Sequence, residues 1–477
     1  MLTRLLFVFC ALVLTGCVNP GTNDALRDVT ILYTNDEHGW LEGMEPGQSA
    51  AHLFDLWKKQ EGYSADGPFL ILSGGDNWTG PAVSTWTKGK SMVEVMNAME
   101  YDASAVGNHE FDFGLEVLKA RAEEADYPYL SANTRWRSNG KTPTDLGILP
   151  YSVTTVNDLR VGIIGLTTLE TPTATHPANV RELEFIQLES AIRQTLPEVQ
   201  AQDTDLILVI AHVCVGPLEQ LINATRDLDI AMVGAGHCNE LVAKKTGDTV
   251  LIGGGYHFTA YAKATFTVNM DTKEVVRRSF STEGTGFETA DNALAELITR
   301  WSSQTDALLS EPVAYTSRAL GRYSEELVRL IIDSWLLADA SADIAITNAG
   351  GIRIDLPKGK IDVGTVVALM PFDNTIIALD LDGRSVRKAL ETGSYPIVAG
   401  LAKQDGRFVL ANTGEPLDDN RKYRVLVNSF MYAGGGNYFP LAEGDPDGFD
   451  TGINYRQPFQ DWLKAQNSSE QNPLRFH

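Results

Sequence analysis

Five short apolar runs in this sequence each break into a group of metal-type side chains. Val29–Tyr33 leads into Asn35-Asp36-Glu37-His38, and Phe69–Leu72 into Gly74-Gly75-Asp76. The stretch before Val106 leads into Gly107-Asn108-His109-Glu110, Leu206–Ile210 into His212, and Ile230–Val233 into Gly236-His237-Cys238-Asn239. Carboxylate, imidazole and amide ligands in this mixture suit borderline or hard divalent ions such as Zn²⁺ or Mn²⁺. Asp36, His38, Asp76, Asn108, His212, His237 and Asn239 are about the number needed for two ions sharing one carboxylate. Taken singly each motif is weak: an Asp-x-His is usually a surface turn, and a glycine pair before an aspartate usually a tight turn. The ordered set is different, because ligands at the carboxyl ends of sheet strands converge on one crevice.

The order D-x-H, GD, GNHE, H, GHxN resembles the calcineurin-like metallophosphoesterases, and more narrowly the 5′-nucleotidase family. The resemblance implies that Asp36, His38, Asp76 and Asn239 hold one ion, and that Asp76 bridges to a second held by Asn108, His212 and His237. It implies hydrolysis of a nucleotide phosphate monoester, in which two ions clamp the phosphoryl group and acidify a water. His109 resembles the family's catalytic histidine. Asp112, three residues on, would orient it and stabilise its charge, or cap the helix expected over Gly114–Ala125.

The second half carries the resemblance further. Asn348-Ala349-Gly350-Gly351-Ile352-Arg353 is similar to the family's N-x-G-G-I-R element. Met370-Pro371-Phe372 and Gly434-Gly435-Gly436-Asn437-Tyr438 resemble two elements that each supply an aromatic to sandwich the nucleobase. The implied substrate residues are Asn348, Gly351, Arg353, Phe372 and Tyr438, since stacking accepts any base. Arg322 is a further phosphate contact whose register stays open, because the Gly-Asn pair that relatives carry after this arginine is missing. Alternatives are a 2′,3′-cyclic nucleotide phosphodiesterase with 3′-nucleotidase activity, hydrolysis of sulfur compounds, and a catalytically idle nucleotide-binding lipoprotein.

These groups need a frame. A chain of 477 residues suggests two domains. Alternating strand-like and helix-like segments argue for an α/β fold: a layered metallophosphoesterase β-sandwich flanked by helices over 28–290, then a second α/β substrate-binding domain over 312–477. Asn292–Leu309 reads as an amphipathic helix within a connector, 291–311. The net charge of −23, with no basic run, disfavours nucleic acid as a partner.

Met1–Arg4, the apolar Leu5–Leu14 and Leu14-Thr15-Gly16-Cys17 read as a signal peptide over 1–16 and a lipid-modified Cys17 opening a tether over 17–27. The expected place is the cell envelope, at the outer membrane facing the periplasm or the surface, because Val18 is not an inner-membrane retention aspartate. Cys214 and Cys238 then remain in the mature chain. They could pair, Cys238 could replace a ligand, or both could be buried free thiols.

Overall fold

The computed structural model describes residues 25–476. The signal segment and Cys17 lie outside the described residues. The strand Leu26–Thr34 takes in Leu26 and Arg27, which the sequence reading places in the segment before the first domain. Among the described residues no helix is long and apolar enough to cross a membrane.

In the first half, two sheets pack face to face. One has seven strands, in the order Glu274–Gly284, Ala260–Asn269, Leu26–Thr34, Phe69–Ser73, Ala103–Ala105, Tyr129–Leu130, Ile148–Leu149. The other has six: Leu241–Thr246, Thr249–Gly254, Met232–Gly234, Leu206–His212, Leu159–Thr167, Tyr151–Val156. Alternate residues explain the layering. Val29, Ile31, Tyr33, Leu70 and Leu72 face inward and meet Val161, Ile163, Leu208 and Ile210 from the other sheet. Leu32 and Ile71 face outward under the helices Ala50–Leu56, Lys90–Ala98 and Leu115–Glu124. Ile164, Ile207 and Val209 face outward under Leu188–Gln200 and Val215–Ala224. Strands covered on both faces read as continuous apolar runs, which is how they look in the sequence. The first helix widens into a π turn at Trp57–Glu61, and the fifth expected strand lies slightly later, at Met232–Gly234.

The second half is built on a five-stranded sheet, ordered Pro396–Ala399, Ile344–Asn348, Lys422–Asn428, Thr375–Asp382, Phe449–Asn454, with two two-stranded ribbons beside it. One face packs on the helices Glu325–Ala338 and Gln457–Ala465 through Ile331, Trp335 and Phe459. The other packs on Gly383–Thr392 and the Met431–Leu441 segment.

Candidate metal centre and substrate cavity

Parallel pairing of Leu26–Thr34 with Phe69–Ser73, and of Leu206–His212 with Met232–Gly234, brings their carboxyl ends to one edge. The loops there are built from left-handed backbone. Asp36 (φ 57°), His38 (φ 45°), Asp76 (φ 57°), His237 (φ 74°) and Asn239 (φ 57°) all lie where non-glycine residues are strained. Backbone bonds hold them so: Asp36 N–H donates to Gly75 O at 3.0 Å and His38 N–H to Asp76 O at 3.0 Å. Gly107 must be glycine, since a Cβ there would sit 2.2 Å from Asp76 Oδ1.

Asp76 is the hub. Its Oδ2 lies 2.9 Å from His212 Nε2 and 4.0 Å from both His38 Nε2 and His109 Nε2. The ligand atoms of His38, Asp76 and His109 fall within 4.8 Å of one another, and so do those of Asp76, His212 and His237. The two clusters share the Asp76 carboxylate, as two bridged cations would, but His109 completes the first and neither takes in Asp36. His212 Nε2 also lies 3.1 Å from Asn108 Oδ1 and 3.2 Å from His237 Nδ1. Asp36 Oδ1 accepts from His237 N–H at 3.1 Å.

His212 Nδ1 donates to Gly74 O at 2.9 Å and His38 Nδ1 to Thr79 O at 3.0 Å, which turns each Nε2 toward Asp76. The side chains of Asp36, His38, Asp76, Asn108 and His212 are buried and His237 is half-buried, whereas Asn239 is exposed. This donor set fits divalent cations by its chemistry, with carboxylate, imidazole and amide atoms crowded around Asp76.

The electrostatics reflect that crowding. Burial, reinforced by the Asp76 charge, pushes Asp36 up to about 6, against the pull of His212. Burial would also raise Asp76, but the imidazoles of His212 and His109 hold it well below its ordinary value. Burial and the nearby Arg353 drive His38 down.

His109 Nδ1 bonds Asp112 Oδ2 at 2.6 Å, the pairing expected of these two residues. Against the effect of burial, the Asp112 and Asp76 charges raise the imidazole. Asp112 is itself fixed by Thr175, whose hydroxyl donates to Oδ1 at 2.8 Å; Asn179 donates to its backbone carbonyl at 2.9 Å. Neither helper carried a sequence signal, because both lie more than sixty residues away. Glu110 did carry one, as a carboxylate inside a glycine loop. It accepts from the backbone N–H groups of Asp76, Asn77 and Gly107 at 2.9, 2.7 and 2.7 Å.

A cavity of about 370 Å³ opens beside His109 and Asp112 and is walled by both halves of the chain. Asn348, Gly351, Arg353 and Phe372 line it, as expected. Phe372 lies against the His109 ring, centroids 5.9 Å apart and planes 24° from parallel. Arg322 does not line the cavity; its guanidinium donates to Arg353 O at 3.2 Å and its N–H to Asp355 at 2.8 Å. It backs the Arg353 segment.

Tyr438 corrects the sequence reading. It is completely buried in the core of the second half, its hydroxyl donating to Ser394 O at 3.1 Å, so neither ring face is open to a base. Besides Phe113, the aromatic that joins Phe372 on the cavity wall is Phe430, from the short helix Ser429–Tyr432 after the strand Lys422–Asn428. Its signal was its place two residues past a strand end. Asn428 beside it donates to Asn348 Oδ1 at 3.0 Å. The cysteines are also settled: Cys214 and Cys238 form a disulfide, half-buried at one end and exposed at the other, so they are neither buried thiols nor ligands.

Two facing sheets with a cluster of carboxylates and imidazoles on one edge define a domain of calcineurin-like phosphoesterase fold, joined to an α/β domain that completes the cavity. A calcineurin-like phosphoesterase from Bacillus subtilis shares that first fold, with a TM-score of 0.52 at 18% identity over 59% of this chain and 99% of its own. Residues 307–443 match the 5′-nucleotidase C-terminal domain family. A curated 5′-nucleotidase from Vibrio cholerae is 27% identical over 96% of this chain and 95% of its own length. The crystal structure of a 5′-nucleotidase precursor from Thermus thermophilus superposes with a TM-score of 0.81 at 25% identity, covering 93% of this chain and 97% of that one. Along nearly its whole length the chain is similar to 5′-nucleotidases, and its second half carries the C-terminal domain of that family.

Proposed function

We propose that this protein is a metal-dependent hydrolase that releases phosphate from nucleoside 5′-monophosphates, with nucleotide sugars and polyphosphates as further substrates. One observation carries the reading: the cavity that reaches His109 and Asp112 is walled on its other side by Phe372, Phe430, Asn348 and Arg353. Asp36, His38, Asp76 and Asn239 would hold one ion, and Asp76, Asn108, His212 and His237 the other, Zn²⁺ or Mn²⁺ by donor type. When bound, the ions supply charge to the phosphoryl oxygens and acidify the attacking water.

The chain's own residues do the rest. Phe372 and Phe430 offer faces to the base, and Asn348 offers amide contacts. Arg353 brings a fixed positive charge to the phosphate end. His109, held by Asp112, stands where it can stabilise charge developing on the phosphoryl group or give a proton to the leaving ribose oxygen.

The closing test is phosphate release from a nucleotide panel by metal-reconstituted protein. Release from 5′-monophosphates, lost on chelation and with Asp76→Ala, supports the reading; preference for 2′,3′-cyclic or 3′-nucleotides would replace it. Export and lipid attachment at Cys17 belong to the same reading. Fractionation of a Cys17→Ser protein tests them, and unchanged membrane association would count against the anchor.

A further inference from the structure

Lys88 stands out on the cavity wall for two independent reasons. It lines the cavity from the first half, beside Asp112, Phe113, Thr175 and His176. It also sits in left-handed backbone, at φ 51°. The cause is local. The short helix Ala82–Thr85 ends in a pair of closing bonds, Lys88 N–H to Thr85 O at 3.0 Å and Gly89 N–H to Ser84 O at 3.0 Å. That closure puts Lys88 at the position where glycine is the usual occupant, because glycine has no Cβ to strain. Gly89 has no freedom to vary, since a Cβ there would strike the Trp78 ring at 2.6 Å. A lysine kept at a glycine position points to a use for its charge.

The anions around it are taken. Asp112 is bound by His109 and Thr175, and Asp373, also on the wall, pairs with Arg456 at 2.6 Å. Lys90, two residues on, pairs with Glu124 at 3.6 Å, whereas among the described residues no carboxylate lies within 4.0 Å of the Lys88 ammonium. An ammonium on a cavity wall, in a chain of net charge −23, is left for an anion from outside. The scissile phosphate belongs at the Asp76–His109 end with Arg353. Lys88 is therefore a second cation, on the opposite domain.

We propose that Lys88 is a specificity-determining residue that pairs with a second, non-scissile phosphate of a nucleotide substrate, carried either on the ribose or within a phosphate chain. The proposal rests on the nucleotidase reading above. Its test compares wild type, Lys88→Gly and Lys88→Arg on adenosine 5′-monophosphate, adenosine 5′-diphosphate and adenosine 3′,5′-bisphosphate. Lys88→Gly should raise KM about 5- to 20-fold for a doubly phosphorylated substrate, the range expected of one partly exposed charged pair, with kcat kept. The monophosphate KM should stay within about 2-fold, and Lys88→Arg should restore the preference. Which doubly phosphorylated substrate loses affinity identifies where the second phosphate sits. The glycine variant should melt about 1–3 °C higher, because strain is removed. KM values that are unchanged, or raised equally on all three substrates, overturn the proposal, as does a fall in melting temperature with uniform loss. Wild type that hydrolyses no nucleotide overturns the nucleotidase reading; hydrolysis without a substrate-selective Lys88 effect overturns this proposal alone.

Discussion

Phe430 and Tyr438 are eight residues apart and have opposite fates, so single substitutions separate them. Phe430→Ala should raise KM for a nucleoside monophosphate about 5- to 150-fold, the worth of one stacked base, and spare turnover of p-nitrophenyl phosphate. Tyr438→Ala should instead empty a core site and cost about 3–5 kcal/mol of stability, lowering the melting temperature before any substrate is added. Selective KM loss at Tyr438 would reverse the assignment. Asp102 gives a pH test away from the metal loops. Burial pushes its carboxyl up to about 6, although it accepts from Ile71 N–H at 2.8 Å. Between about pH 4 and 6 the folded chain holds this proton and the unfolded chain has lost it, so the contribution to stability falls as pH rises through that window. Asp102→Asn keeps an acceptor for Ile71 and removes the charge. It should raise the stability at pH 7, by on the order of 1–2 kcal/mol after screening, and have little effect at pH 4. Equal shifts at both pH values would refute that origin.

The elements that hold the site were legible to different degrees, and the reasons are physical. Strands buried on both faces, such as Leu206–His212, leave an unbroken apolar run, and the ligands at their ends could be read from the break. The strand Ala103–Ala105 has only three small residues, and only the following Gly107-Asn108-His109-Glu110 marked it. Left-handed turns at Asp36 and Asp76 have no residue signature, because strain there is held by neighbours such as Glu110. Tyr438 was misread for a related reason: a glycine-rich turn marks where the chain bends and says nothing about which neighbouring ring is swallowed by the core. The disulfide could not be chosen over free thiols from spacing either. It ties the loop after His212 to the loop bearing His237 and closes a segment with a separation of 24 residues. Cys214→Ser with Cys238→Ser should cost roughly 3 kcal/mol by loop entropy. More tellingly, the protein should lose metal faster to a chelator, since the His237 loop is released while His212 stays in its strand. Unchanged metal off-rates would make the disulfide a stabiliser only.

At the scale of the whole molecule, the segment between the halves proves to be more than a connector. The helix Asn292–Leu309 starts on an Asp291 cap, whose side chain accepts from Leu294 N–H at 3.0 Å and pairs with Lys58 at 2.9 Å. Leu294 and Ile298 are buried in the same cluster as Phe54 and Met96, under the seven-stranded sheet. Trp301 and Arg300 both reach Glu94 of the helix Lys90–Ala98. Only the far end turns to the second half: Glu311 O accepts from Val363 N–H at 3.1 Å, and its carboxylate pairs with Lys464 at 2.8 Å. We therefore place this helix in the folding unit of the metal-bearing half, with the change of unit near residue 310. Ile298→Ala in the full chain tests the placement. The substitution removes a buried side chain and should cost about 2–4 kcal/mol. Metal binding stabilises whichever unit holds the ions, so a chelator should lower the melting of that unit and leave the other alone. The Ile298→Ala loss should fall on the chelator-sensitive transition, with the second unit melting as in wild type. A loss confined to the chelator-insensitive transition would move the helix, and the boundary with it, to the substrate-binding half.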